Sequence, residues 1–198
     1  MLNTLTYAVR VETTPDQSKT LSDTCSAYLD CCNMASKTAW EHRTLNQKTL
    51  NQLIYRRLRD EYHVGAQMAC SSINRVIGNY RTIQATHGSP WATSQPKYHS
   101  PGYDLVWNRD YSILKDGRLS VNTLEGRIKV PVDWTHVPEE YRHGKFGTAR
   151  LLNRNRNKRL HEYHCSNCGY RSNDDRVAAM NIQRLGYQSL VESQSDKL

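Results

Sequence analysis

The chain has 198 residues, enough for one mid-sized domain or two small ones. Lys and Arg total 27 against 19 Asp and Glu, a net charge of +8, with a sequence pI near 9.2. No stretch approaches the roughly 18 apolar residues that a membrane span needs, and the charge excess fits either a polyanionic partner, nucleic acid being the commonest, or a merely basic solvated surface.

The opening MLNTLTYAVRVE is too short and too polar for a secretory signal. The expected setting is therefore cytoplasmic, where thiols stay reduced. Cys25, Cys31, Cys32 and Cys70 stand at helical spacings among apolar residues and read as small core residues. Phe occurs once, so 12 Tyr and 4 Trp carry the aromatic content. Their polar handles let some stack on bases, while most read as core or strand residues.

Residues 5–12 alternate as a strand would, with Leu5, Tyr7, Val9 and Val11 on one face. Thr14, Pro15 and Gln17 then form the signature of a capped helix start. Leu21, Cys25, Tyr28, Leu29 and Cys32 follow on one helical face. A second helix fits about 47–62, with Leu50, Leu53, Ile54, Leu58 and Tyr62 inward and Arg56, Arg57 and Arg59 on its other face. Gly65 separates it from a third, about 66–86, with Ala69, Ile73, Val76, Tyr80 and Ile83 inward. Arg75 and Arg81 belong to this third helix.

Residues 87–102 are loop by composition. YSIL, KDGR and LSVNT then read as a hairpin around Asp116-Gly117. RIKVPV is a further strand with Pro131 near its end, HVPEEYRHGKFG is loop, and TARLL is a last strand. The order predicts an α+β fold: a small, wedge-like β-barrel over 1–152 with a three-helix bundle inserted at about 15–86.

The composition changes at residue 153, and 153–164 reads as a basic linker. Arg154, Arg156, Lys158 and Arg159 form an Asn-interleaved run that suits phosphate contact without sequence readout, or plain solvation. Within 165–198, Cys165-x-x-Cys168 followed by Gly169 is a zinc-knuckle turn. It supplies half of a four-ligand zinc site, with His161 and His164 the nearest further candidates. A reduced, metal-free pair and a zinc shared between chains remain open beside it. Asp174 and Asp175 precede a helix through Val177, Ala178, Asn181, Ile182 and Leu185. A carboxylate there is a favourable cap, and turns catalytic only with partners.

CSNCGYRSNDDRVAAMNI resembles the terminal zinc ribbon and third nuclease motif of the TnpB (OrfB) family, transposon-encoded RNA-guided DNA endonucleases related to compact type V CRISPR effectors. NTLEGRIKVPV is similar to the strand closing that family's wedge barrel. The opening strand with PDQ, and AQMACSSINRVIGNYR, resemble its wedge start and helical recognition lobe. The resemblance implies handling of a guide-type RNA and DNA, transposon association and a C-terminal zinc-ribbon remnant with its helix. It also places Asp175 at the third acidic nuclease position.

The chain departs from the family where the RuvC-like nuclease domain belongs. TARLL at 148–152 is followed almost at once by the second Cys pair of the ribbon, and the intervening carboxylates are missing. Asp174 stands where Ala is usual and Val177 where Asn is usual. An orphan Asp175 cannot hold two ions, so no Mg-dependent cleavage is expected. If further nuclease carboxylates exist, Asp104, Asp110 and Glu125 are the places to look. Three readings follow: a nucleic-acid-binding protein that does not cut, a decayed transposon product, and a subunit completing a nuclease with an unidentified partner chain.

Overall fold

Thr14 and Gln17 begin the first helix reciprocally. Thr14 N donates to Gln17 Oε1 at 3.1 Å, and Gln17 N donates to Thr14 Oγ1 at 3.3 Å, satisfying two amides that the helix leaves unpaired. The computed structural model describes residues 5–142, 146–152, 156–157, 162–164 and 171–173. The chain divides into two units, 1–153 and 154–198.

In the first unit, α1 (Pro15–Glu41) buries Leu21, Cys25, Tyr28, Cys31, Cys32, Ala35 and Ala39. Asn46 caps α2 (Gln47–Tyr62), its Oδ1 accepting from Lys48 N at 2.9 Å and Thr49 N at 3.2 Å. His63, at φ 53°, turns the chain out of that helix. Leu50, Ile54 and Leu58 form the buried face of α2. Leu53, expected inward, stays 39% exposed, because its position lies roughly 100° round the helix from the middle of that face. The third helix, α3 (Ala66–His87), buries Met68, Ala69, Ser72, Ile73, Val76, Ile77 and Tyr80. Gly88, at φ 76°, ends it.

The strands are short. β1 (Arg10–Val11) pairs antiparallel with β6 (Val132–Asp133), and β2 (Gly102–Leu105) with β7 (Ala149–Leu152). β3 (Tyr111–Ile113), β4 (Leu119–Thr123) and β5 (Gly126–Val130) form a three-stranded antiparallel sheet. The Asp116-Gly117 turn closes β3 on β4: Leu114 N donates to Arg118 O at 2.8 Å, and Gly117 has φ 80°. A four-residue helix, α4 (Glu139–Arg142), follows β6.

The fold is α+β, and the strands of this unit stand in three separate small sheets rather than a closed barrel. Closure needs a continuous ladder. Pro131, which has no N–H, separates β5 from β6. The opening strand is likewise shorter than its alternation predicts. Leu5, Tyr7 and Val9 are 56%, 41% and 41% exposed. The segment paired with β1 ends early: Asp133 Oδ1 accepts from Thr135 N at 2.9 Å, and Val137 N donates to Trp134 O at 3.0 Å, so the residues that would continue the ladder turn away.

Helices and sheets share one apolar core. Tyr28, Leu50, Ile54, Ile73, Val76 and Tyr80 from the helices join Tyr103, Leu105, Val121 and Val130 from the strands. Cys25, Cys31 and Cys32 are buried in it and Cys70 is half-buried. The loop after α3 is stapled to α1, since Asn33 Nδ2 donates to Tyr98 O at 3.0 Å and Asn33 Oδ1 accepts from Tyr98 N at 2.8 Å.

In the second unit, β8 (Arg156–Asn157), β9 (Glu162–His164) and β10 (Arg171–Asn173) form an antiparallel sheet with β9 central. The registers are Arg156↔Tyr163 and His164↔Arg171. The stretch read as a basic linker thus carries two strands. The cysteine pair, His161, Asp175 and the helix expected after it lie outside the described residues.

Candidate nucleic-acid interface

Helix α2 exposes its cations on different sides. Arg56 lies opposite the Leu50–Ile54–Leu58 face, is exposed, and has no ion pair among the described residues. Arg57 Nε sits 3.0 Å from Glu61 Oε1, one turn on, with both side chains about half exposed. Such a pair is worth little and exchanges readily for another anion. Arg59 places its guanidinium carbon 5.9 Å from the centre of the Tyr55 ring, within cation–π reach.

Lys48, Gln52, Tyr55 and Arg59 recur at helical spacing and form one stripe along α2. Composition alone does not single out Lys48. The spacing i, i+4, i+7, i+11 is the signal that marks it. The stripe borders a cleft of about 560 Å³ between α2 and α3, lined by Gln47, Lys48, Asn51, Gln52, Tyr55 and Cys70.

On α3, Arg81 is exposed and has no carboxylate partner among the described residues. Arg75 is different. Its Nη1 lies 3.2 Å from Asp104 Oδ1 and 3.1 Å from Oδ2, and its side chain is 19% exposed. It ties α3 to β2 instead of standing free for a phosphate. Arg156 and His164 belong to β8 and β9. Arg154, Lys158, Arg159, His161, Cys165, Cys168 and Asp175 lie outside the described residues.

The three carboxylates that could have completed a nuclease site each have partners of their own. Asp104 also accepts from Tyr28 Oη at 3.3 Å and meets Arg150 Nη1 at 3.5 Å. Asp110 is fully buried, Oδ1 accepting from Tyr103 Oη at 2.8 Å and Oδ2 from Val106 N at 2.8 Å. Burial, with the Asp110 carboxylate beside it, pushes the Tyr103 phenol well above the ordinary tyrosine range. Glu125 accepts from Thr20 Oγ1 at 3.1 Å. Among the described residues no three His, Cys, Asp or Glu side chains gather as metal ligands would. No helix among them is long and apolar enough to cross a membrane. What the described arrangement offers is exposed cation, amide and aromatic surface on α2 and α3.

The chain matches no protein-family model, no curated protein and no solved structure.

Proposed function

We propose that this chain binds nucleic acid, single-stranded or guide-type RNA first and DNA through it, without cutting either. The observation that carries the proposal is the set of exposed cations Lys48, Arg56, Arg59 and Arg81, unpaired with carboxylates among the described residues, on a chain of net charge +8. Unpaired cations on neighbouring helices release counterions from a phosphate backbone, which supplies affinity without sequence readout.

The resemblance to the TnpB (OrfB) family supplies the context: a transposon-associated derivative in which small antiparallel sheets are the wedge-like part, the helices the recognition part, and Cys165 and Cys168 half of a ribbon zinc site. The separate engagements of Asp104, Asp110 and Glu125 support the non-cutting half of the reading.

The test is binding and cleavage on the same purified full chain. If ~6 phosphates of a single strand are neutralised, affinity for RNA should fall about three-hundredfold between roughly 50 and roughly 200 mM salt. A guided plasmid assay with Mg²⁺ or Mn²⁺ should leave the plasmid intact for wild type and Asp175→Asn alike. Salt-independent binding would overturn the first half. Linearisation by wild type and not by the mutant would overturn the second.

A further inference from the structure

Asn51 sits beside the Lys48–Gln52–Tyr55–Arg59 stripe and lines the same cleft. Its Oδ1 is enclosed and has no hydrogen-bond donor among the described residues. A carbonyl oxygen shut off from water without a donor is costly. The terminal amide torsion of Asn is broad, so this group turns at small expense. Turned toward the cleft, it presents an acceptor and a donor side by side.

We propose that the cleft between α2 and α3 is an adenine-binding site. On the Hoogsteen edge, away from the Watson–Crick face, adenine alone of the four bases offers a donor, its N6 amino group, next to an acceptor, N7, the pair that an Asn amide reads. Guanine offers two acceptors there and leaves the Asn51 oxygen unmatched. Tyr55 supplies a ring face on which the base stacks. Lys48 and Arg59, before and after Tyr55 on the same stripe, supply charge for the attached phosphate. The cleft is open along most of its extent, so a base lies against its wall at Tyr55 rather than inside an enclosed cavity. The base comes from an unstacked adenine in single-stranded RNA, in which case the inference rests on the reading above and gives it a base preference, or from a free adenine nucleotide.

The experiment is fluorescence anisotropy with labelled oligo(A), oligo(U) and oligo(C) of equal length, with adenosine monophosphate as competitor. Wild type should bind oligo(A) about tenfold tighter than oligo(U). Asn51→Leu should bring the homopolymers to parity while leaving the salt dependence unchanged, because the phosphate contacts remain. As a reading that needs no variant, the side-chain amide signals of Asn51 and Gln52 should shift in NMR spectra on titration with adenosine monophosphate. Equal binding of all three homopolymers, with those signals unmoved, overturns the site and leaves the polyanion reading standing. Asn51-dependent binding of the mononucleotide without binding of any oligomer keeps the site and overturns the RNA reading. No binding of any probe overturns both.

Discussion

Arg75 and Asp104 hold the third helix against the sheet through one guanidinium nitrogen placed 3.2 and 3.1 Å from the two carboxylate oxygens. The Arg75 guanidinium carbon also lies 5.4 Å from the Tyr98 ring centre and 6.0 Å from that of Tyr28. With Arg150 at the same carboxylate, the group joins α1, α3, β2 and β7 at one point. Removing Asp104 strands the largely covered Arg75 guanidinium, and removing Arg75 leaves the Asp104 carboxylate to Arg150 and Tyr28 alone. Arg75→Ala and Asp104→Ala should each cost ~1–3 kcal/mol, discounted from a fully buried pair because the Asp104 side chain is 35% exposed. Urea unfolding of both single mutants and the double mutant checks this; additive losses would mean that the two side chains are not coupled.

The same geometry separates Arg75 from its neighbours in nucleic-acid binding. Arg56→Ala, Arg59→Ala and Arg81→Ala should each flatten the plot of log affinity against log salt, by about 0.7 for each phosphate of a single strand that is no longer neutralised. Arg75→Gln should leave that slope alone and lower only the melting temperature. Titrations at four salt concentrations on each variant decide it, and an Arg75 slope change equal to that of Arg56 would contradict the inward assignment.

Asp110 is a second covered carboxylate with a different duty. It accepts from the Tyr103 hydroxyl and the Val106 amide in a fully buried setting. Asp110→Ala leaves both donors unpaired and should cost about 2–4 kcal/mol. Tyr103→Phe should cost less, since the carboxylate keeps the Val106 amide. Thermal melts of the two variants should rank in that order.

Burial pushes the thiols of Cys25, Cys31 and Cys32 up to about 12. A folded-state value above the ordinary thiol value means that the folded chain keeps protons which the unfolded chain releases. That contribution is complete below the ordinary range, about 8.5, and is lost as pH climbs from there towards 12. The urea midpoint should therefore fall steadily above about pH 9. Among the four described cysteines, Cys70 should take iodoacetamide first at neutral pH, with the other three reacting only on unfolding. Mass mapping of the modified thiols reads this, and early labelling of Cys32 would refute the packing.

Local signals in the chain are legible and distant pairings are not. The second helix runs Gln47–Tyr62, as its apolar period predicts, because Asn46 caps one end and His63 turns the other. The capping box at Thr14 and the Asp116-Gly117 turn likewise carry their geometry within a few residues. The alternation of Leu5, Tyr7 and Val9 marks a face without saying whether a strand will pair with it. Among the described residues none does, because the chain after Asp133 turns away. Arg75 looks like its exposed neighbours by composition. Only the arrival of Asp104 from β2, after the whole loop at 88–101, draws it inward. The cleft is hidden for the same reason: the stripe on α2 is a sequence period, but Cys70 on the opposite wall comes from another helix.

The β1–β6 pair joins Arg10 to Asp133 across nearly the whole of the first unit. Helices α1, α2 and α3 find one another over short loops, whereas this two-residue rung must close a very long one. Loop-closure entropy rises with the length enclosed, and non-local pairings form late. The N-terminal rung is thus expected to be the last pairing to form and, held by two paired residues and the Glu12 N to Pro131 O bond beside them, the first to open. Interactions absent when the rate-limiting barrier is crossed act on the unfolding rate alone. Lengthening this rung would slow the loss of the native state while leaving the speed of its formation unchanged.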